Sequence, residues 1–167
     1  MEVWWKDRRT IFLLLFTLAA TFLVMSPALN HDFVNWDDYG YLVENEEVKN
    51  LSFENVRKIF TQPTSANYNP LTLLTLSIEH HFIGLDPFYY HLNNILLHVL
   101  TTFLVFWFMT TIGVKGVWAV FIALLCGIHP MRVESVAWVT ERKDVLFGLF
   151  YLAALISYVS YVRIEKK

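Results

Sequence analysis

Long uncharged apolar runs alternate along the chain with two segments that hold most of its polar residues. The uncharged runs are residues 11–29, 92–112, 117–128 and 145–162. A helix rises about 1.5 Å per residue and the hydrocarbon core of a membrane is about 30 Å thick, so about 20 apolar residues cross it. The pattern predicts an all-α membrane protein with four transmembrane helices, one membrane domain over residues 1–167, and outer loops at 30–91 and 129–144.

The third apolar run is too short for a full crossing. Its twelve residues, 117–128, make a helix of only about 18 Å. The helix must therefore end in the outer half of the membrane, or the bilayer must be thinner there. Irregular backbone at that depth is tolerated only where it is buried in protein or lines a water-filled cavity. The short run thus predicts a recessed site at the start of the second outer loop.

Charged residues beside the runs indicate their orientation. The basic residues next to the spans are Lys6, Arg8, Arg9, Lys115, Arg163, Lys166 and Lys167. Residues 31–91 instead carry nine acidic residues and three basic ones. Lys and Arg are enriched on the cytoplasmic side, and Trp4 and Trp5 fit an interfacial aromatic belt. Both termini are therefore predicted to be cytoplasmic.

The first run has a competing interpretation as a cleaved signal peptide. Residues 26–28, Ser-Pro-Ala, resemble a small-residue cleavage site. The run of nineteen residues is longer than the usual apolar region of a signal peptide, about 7–15 residues. The length favours an uncleaved span.

The large outer loop has the patterns of ordered structure. Residues 53–60 carry apolar side chains at helical spacing, with Ser52 as the N-cap. Residues 71–82 predict a second helix, which begins after Pro70 and ends near Gly84. We expect both to be short amphipathic helices at the membrane surface.

One face of the second span carries a polar stripe of His91, Asn94 and His98. In lipid such a stripe must face protein or water. It either bonds to neighbouring helices or serves as a ligand site, and the two histidines are too far apart to bind one metal ion alone.

Composition narrows the classes of function. The chain is 56% hydrophobic with a mean hydropathy of +0.43, and its net charge is −2 with no polybasic tract. These values agree with an integral membrane protein and exclude a nucleic-acid-binding face. The single cysteine, Cys126, excludes an internal disulfide.

The candidate chemistry centres on Asp37 and Asp38, which follow the first span and lie among aromatic residues. They are either helix-capping or solvated loop charges, or part of a site with Glu134 and His129 at the outer membrane face. Such a cluster suits a general base that takes a proton from a hydroxyl, beside a cation that holds a phosphate. The basic candidates are Arg132, Arg142 and Lys143.

Four motifs in order carry a resemblance to a known family. They are FVNWDDY at residues 33–39, NYNPLT at 67–72, YHLNNILLH at 90–98 and HPMRVESVAWVTERKD at 129–144. Together they resemble the N-terminal part of bacterial membrane proteins with tetratricopeptide repeats. They are also similar to the eukaryotic transmembrane and tetratricopeptide-repeat O-mannosyltransferases. Both groups have the GT-C glycosyltransferase architecture.

The resemblance implies transfer of a sugar from a polyprenyl-phosphate donor to a hydroxyl of a protein or glycan, outside the cytoplasm of a bacterial inner membrane. It places Asp37 and Asp38 at the active site, as base or as metal ligands, with Glu134 as a further acidic position. Some GT-C enzymes use a divalent cation and others do not. The implied substrate-binding residues are Arg132, Arg142, His129 and Asn69.

Two departures from the family affect the expectation. The family usually has His or Arg at the position of Asn69. This chain therefore has a neutral amide where the family has a side chain that can carry a positive charge. GT-C enzymes also have more spans, and these relatives carry repeats, whereas this sequence ends at Lys167. We therefore expect the N-terminal catalytic part of a longer enzyme. The alternative is a truncated, non-catalytic membrane protein that packs its polar stripe against other helices.

Overall fold

The computed structural model describes residues 7–64 and 67–165, and within them the regular secondary structure is helical, with one isolated β-bridge between Thr64 and Asn67. The longer helices are α1 (Arg8–Met25), α3 (Phe53–Thr61), α4 (Pro70–Ile83), α5 (Pro87–Thr111), α6 (Gly116–Gly127) and α8 (Arg142–Glu165). The short ones are α2 (Glu46–Lys49) and α7 (Val133–Ala137), with 3₁₀ turns at Ser26–Asn30 and Pro130–Arg132 and a π-helical turn at Tyr39–Val43. The residues of the orientation prediction that lie outside the described ranges are Trp4, Trp5, Lys6, Lys166 and Lys167.

Three helical segments are long and apolar enough to cross a membrane: Arg8–Asn30, Pro87–Thr111 and Arg142–Ile164. A fourth crossing is present only if α6 and residues Pro130–Ala137, which meet at a bend of 55°, count as one span. The fold therefore confirms a helical protein with several spans. The early end of the third apolar helix is also confirmed, because α6 has twelve residues and stops at Gly127.

Helix α5 is the central element, in contact with α1, α4, α6, α7 and α8. The Asp86 side chain caps it by accepting from the Phe88 N–H at 3.1 Å, and Pro87 occupies its first position. These residues start the helix five positions before the predicted span at residue 92. Its apolar core with α1 and α6 consists of Leu14, Val105, Phe106, Ala119, Val120 and Ala123.

The first outer segment, residues 31–86 between α1 and α5, is named for its predicted location. It packs around a core that it shares with Tyr90 of α5 and with Val139. That core consists of Tyr41, Leu42, Val48, Ile59, Leu73, Leu76, Tyr90 and Val139. Ser52 caps α3 by accepting from the Asn55 N–H at 3.2 Å, as predicted. Helix α4 starts at Pro70 and ends at Gly84, whose φ of 64° suits a glycine. Both predicted loop helices are confirmed, and their position at the membrane surface stays a prediction.

Small residues let α6 approach its neighbours closely. A Cβ added at Gly127 would lie 2.3 Å from Thr21 Oγ1 on α1 and 3.0 Å from Thr102 Oγ1 on α5. Thr21 is fully buried, and its hydroxyl donates to the Thr17 carbonyl at 2.9 Å. Close backbone approach at glycine is a common way for membrane helices to pack, because lipid offers no hydrophobic drive for helix association.

Substitution Gly127→Ala is therefore expected to destabilise the bundle by about 1–3 kcal/mol, the usual cost of overpacking. Thermal unfolding in detergent measures the effect. Thr21→Ala in the same chain should restore part of the loss, because it removes the atom nearest to the new methyl group. The matched control is Gly148→Ala on α8, whose Cβ meets only Thr101 Cγ2 at 3.6 Å. Equal stability of the two single variants would contradict this account of the packing.

Candidate functional site

Asp38 is a buried carboxylate that joins the first outer segment to residues 129–144, which we call the second outer segment. Its exposed fraction is 0%, and Oδ1 accepts from the Thr140 backbone N–H at 3.0 Å and from Thr140 Oγ1 at 2.8 Å. The other oxygen accepts from the Val34 N–H at 2.9 Å. The side chain makes no capping bond to the π-helical turn that follows. For Asp38, both the helix-cap and the solvated-loop interpretations are wrong, because its bonds go to the neighbouring turn and to a segment 102 residues away.

A pair of tryptophans accompanies this contact. The Trp36 and Trp138 rings meet edge to face at 5.4 Å between centroids, again with an offset of 102 residues. Trp36 is 72% exposed, so the aromatic pair forms an outer edge beside the buried carboxylate. Residues 36–38 and 138–140 therefore lie side by side.

Asp37 differs from its neighbour in exposure and partners. It is half-buried and makes no hydrogen bond with another described side chain. The nearby Lys143 ammonium pairs instead with Glu141 at 2.7 Å. Asp37 forms no ion pair with another described residue.

Arg142 is, like Asp38, a fully buried charged residue, with an exposed fraction of 0%. Its guanidinium donates to Glu79 Oε1 at 2.5 Å, to Thr75 Oγ1 at 3.3 Å and to the Tyr90 carbonyl at 3.1 Å. Nε donates to Asn94 Oδ1 at 2.6 Å. Burial raises the pKa of the Glu79 carboxyl, and the Arg142 charge opposes that change. Arg142 links α4, α5 and the start of α8.

The polar stripe of α5 faces protein, as one of its two predicted roles requires. Asn94 Nδ2 donates to the carbonyls of Val136 and Trp138, each at 3.2 Å. His98 Nε2 is 2.9 Å from the Gly127 carbonyl, at the end of α6. His91 is fully buried. All three residues are buried, and Asn94 and His98 bond to segments of their own chain, so the stripe is not an exposed face in this structure.

The remaining predicted site residues lie apart from Asp38. Glu134, Arg132 and His129 are exposed on the short helical turns after α6, and His129 Nδ1 accepts from the Met131 N–H. Neither Glu134 nor His129 forms a hydrogen bond with the acidic pair. Asn69 is half-buried at the N-cap of α4, without a side-chain capping bond.

A groove of about 470 Å³ runs beside these turns. Its polar lining comes from His98, Thr101, Arg132, Ser135 and Asp144. Its apolar lining comes from Val105, Cys126, Val136, Val145, Phe147, Gly148, Tyr151 and Leu152. The groove therefore has polar groups near the outer helix ends and aromatic and aliphatic side chains along α5 and α8.

Sequence reasoning missed two important partners, Thr140 and Glu79. Thr140 is an ordinary residue in sequence, and no local pattern pairs it with Asp38. Glu79 gave a stronger signal, since it is the one acidic residue of helix α4, which contains no Lys or Arg to pair with it. A carboxylate on such a helix calls for a buried cation, which is Arg142.

Substitution Arg142→Met is expected to lower the free energy of unfolding by about 3–5 kcal/mol, because it leaves Glu79 buried without its cation. The double variant Arg142→Met with Glu79→Gln should recover part of that loss. Thermal unfolding in detergent measures both. The control is Lys58→Met, which breaks an exposed pair with Glu54 and should cost about 0–1 kcal/mol. A double variant no more stable than the single one would argue against the ion pair as the cause.

Comparison with known proteins gives one consistent relationship. The chain is 37% identical over 95 residues to protein O-mannosyl-transferase tmtc2 of Xenopus laevis, which is 57% of this chain and 11% of that protein. It is 38% identical over 93 residues to the human protein O-mannosyl-transferase TMTC1, and 32% identical over 92 residues to Tmtc1 of Drosophila melanogaster. No protein-family model and no solved structure matches the chain.

The chain spans about a tenth of the length of the curated relatives it matches. Within that limit, the matches cover more than half of the chain and all carry the same description. The resemblance that the four sequence motifs indicate is thereby confirmed: the chain is similar to part of the protein O-mannosyl-transferases TMTC1, TMTC2 and TMTC3.

Proposed function

We propose that this chain is the N-terminal part of an O-mannosyltransferase-like enzyme that transfers a sugar from a polyprenyl-phosphate donor to a hydroxyl on the non-cytoplasmic side. The observation that carries the proposal is Asp38, which is held by Thr140 of the second outer segment, together with a half-polar, half-apolar groove that is lined by Arg132 of the same segment. The similarity to protein O-mannosyl-transferases supports the reaction class.

The reaction needs a base and a means to stabilise the leaving phosphate. A carboxylate takes the proton as the acceptor oxygen attacks the anomeric carbon, and the bond from that carbon to the donor phosphate breaks. Asp37 or Asp38 serves as the base, and Glu134 is a further acidic position. A cation beside the phosphate stabilises the charge that it gains on leaving.

Arg132 is the better placed of the two arginine candidates for the phosphate. It is exposed and lines the groove, whereas the Arg142 guanidinium is fully buried and bonded to four protein groups. His129 shares a neighbouring hollow with Arg132. In this proposal the isoprenoid chain lies along the apolar part of the groove, near Phe147 and Tyr151. Arg142 then supports the site from within the protein.

Among the described residues, no group of three or more His, Cys, Asp or Glu is arranged to hold a metal ion. Both oxygens of Asp38 accept hydrogen bonds from protein groups.

The proposal includes the full topology: four spans, both termini cytoplasmic, and loops 30–91 and 129–144 outside a bacterial inner membrane. The bent arrangement of α6 and the turns after it supports a third crossing that is broken near the outer face. In the proposed topology, the polar turn of Arg132 lies at the depth of the donor phosphate. The acceptor hydroxyl, on a protein or glycan, then arrives from outside.

Substitution of each aspartate by asparagine tests the reaction. In the longest natural form of the protein, replacement of the aspartate that is the base should lower sugar transfer from a polyprenyl-phosphate donor by about 100-fold or more, because a general base contributes about 10²–10⁴. Asp32→Asn is the control, since that exposed carboxylate bonds only to the next backbone N–H. Unchanged transfer by both Asp37 and Asp38 variants would remove the assignment.

Substitution Arg132→Gln tests the donor site. It should weaken binding of the polyprenyl-phosphate donor about ten-fold, since a charge-assisted hydrogen bond contributes about 1.5–3 kcal/mol and 1.4 kcal/mol is a factor of ten. Donor affinity is measured directly, by titration of the labelled lipid into the purified long form. Arg57→Gln, an exposed arginine of α3, is the matched control. Equal affinity of the two variants would place the phosphate elsewhere.

A further inference from the structure

The two adjacent aspartates, Asp37 and Asp38, differ in burial and in hydrogen-bond partners, which suits them to different roles. We propose that Asp38 and Thr140 form a positioning pair that fixes the two outer segments together, and that Asp37 alone is the base presented to the acceptor. The inference rests on the proposed function and refines its site.

The contacts of Asp38 leave it unsuited to proton transfer from a substrate. Its exposed fraction is 0%, and its two oxygens accept three hydrogen bonds, two of them from Thr140. A general base must be within hydrogen-bond reach of the proton that it takes. No substrate hydroxyl can reach a carboxylate that is enclosed and already bonded in this way.

Asp37 is more exposed than Asp38 and has fewer partners. It is half-buried and has no side-chain hydrogen bond within the described chain. The turn that carries it is fixed by the bonds of the next residue, Asp38. A base that is held in one orientation and is not already bonded to protein groups suits proton transfer from a bound acceptor.

The partner of Asp38 is itself fixed from the other side. Asn94 donates to the carbonyls of Val136, Trp138 and Val139, just before Thr140. The same Asn94 accepts from Arg142, just after it. The Thr140 hydroxyl therefore belongs to a rigid segment, and a bond to it transmits that rigidity to the turn of Asp37.

The experiment compares Asp37→Asn, Asp38→Asn, Thr140→Val and Thr140→Ser in the longest natural form, with Asp32→Asn as control. We expect Asp37→Asn to lower transfer by about 100-fold or more without a change in thermal unfolding. Asp38→Asn and Thr140→Val should each lower transfer about ten-fold and lower the unfolding temperature, the cost of losing a hydrogen bond to a buried charge. Thr140→Ser keeps the hydroxyl and should recover wild-type transfer.

The pH dependence of transfer separates positioning from catalysis. Loss of a hydrogen bond to an ionised carboxylate raises its pKa. If Asp37 is the base, Thr140→Val leaves the low-pH limb of the rate at the wild-type pH, because Thr140 does not bond to Asp37. A limb shifted to higher pH in Thr140→Val would make Asp38 the base and overturn the inference. So would an Asp38→Asn variant that loses transfer as completely as Asp37→Asn while it unfolds at the wild-type temperature.

A double-mutant cycle on thermal unfolding distinguishes this inference from the proposed function. If the wild-type long form transfers no sugar, the proposed function fails, and the assignment of Asp37 fails with it. The Asp38–Thr140 pair is then judged by the free energies of unfolding of Asp38→Asn, Thr140→Val and their combination. A combined effect smaller than the sum supports the pair, and an additive effect overturns it.

Discussion

The buried guanidinium of Arg142 is the constraint on which the outer half of the structure depends. A cation without solvent must be neutralised and have its N–H groups bonded, or it destabilises the fold. Glu79 supplies the charge, and Thr75, the Tyr90 carbonyl and Asn94 supply the acceptors. These partners come from α4 and α5, while Arg142 begins α8. One interaction therefore sets how the first outer segment and the last span meet on the central helix.

The site follows from that arrangement. Helix α6 ends after twelve residues, and the last span, α8, begins only at Arg142. The residues between them pack against α5 and α8. Asn94 fixes this segment by donating to three of its backbone carbonyls, at residues 136, 138 and 139. Thr140, the next residue, bonds to Asp38. The acidic turn after the first span thereby acquires a rigid support. Burial of Asp38 costs solvation, which three donated hydrogen bonds offset.

The similarity to the O-mannosyl-transferases falls on a chain that contains all the parts of this site. The matches are limited to about a tenth of those proteins, and the chain includes the acidic turn, the groove and the turn of Arg132. The base and the phosphate-binding cation that we propose both lie in this small region. A polar stripe on α5, which offered a second explanation as a docking face, is used to hold the region together.

The sequence by itself determined the class of the protein and most of its local structure. The long uncharged runs predict the helical membrane class. Local interactions, between residues a few positions apart, determine the Ser52 cap, the ends of α4 at Pro70 and Gly84, and the short α6. Such interactions are readable from spacing and residue type alone. The same spacing showed that Asn94 and His98 share a face and must avoid lipid.

Only the tertiary structure decided which polar residues are structural. Arg142 and Arg132 are alike in sequence as cations of one segment, yet the first is enclosed and the second exposed. Asp37 and Asp38 are adjacent, yet only the second lies against Thr140. These differences depend on packing between residues tens to a hundred positions apart. Periodicity gives the face of a helix on which a residue lies. The residue that it contacts on that face depends on how the helices pack together.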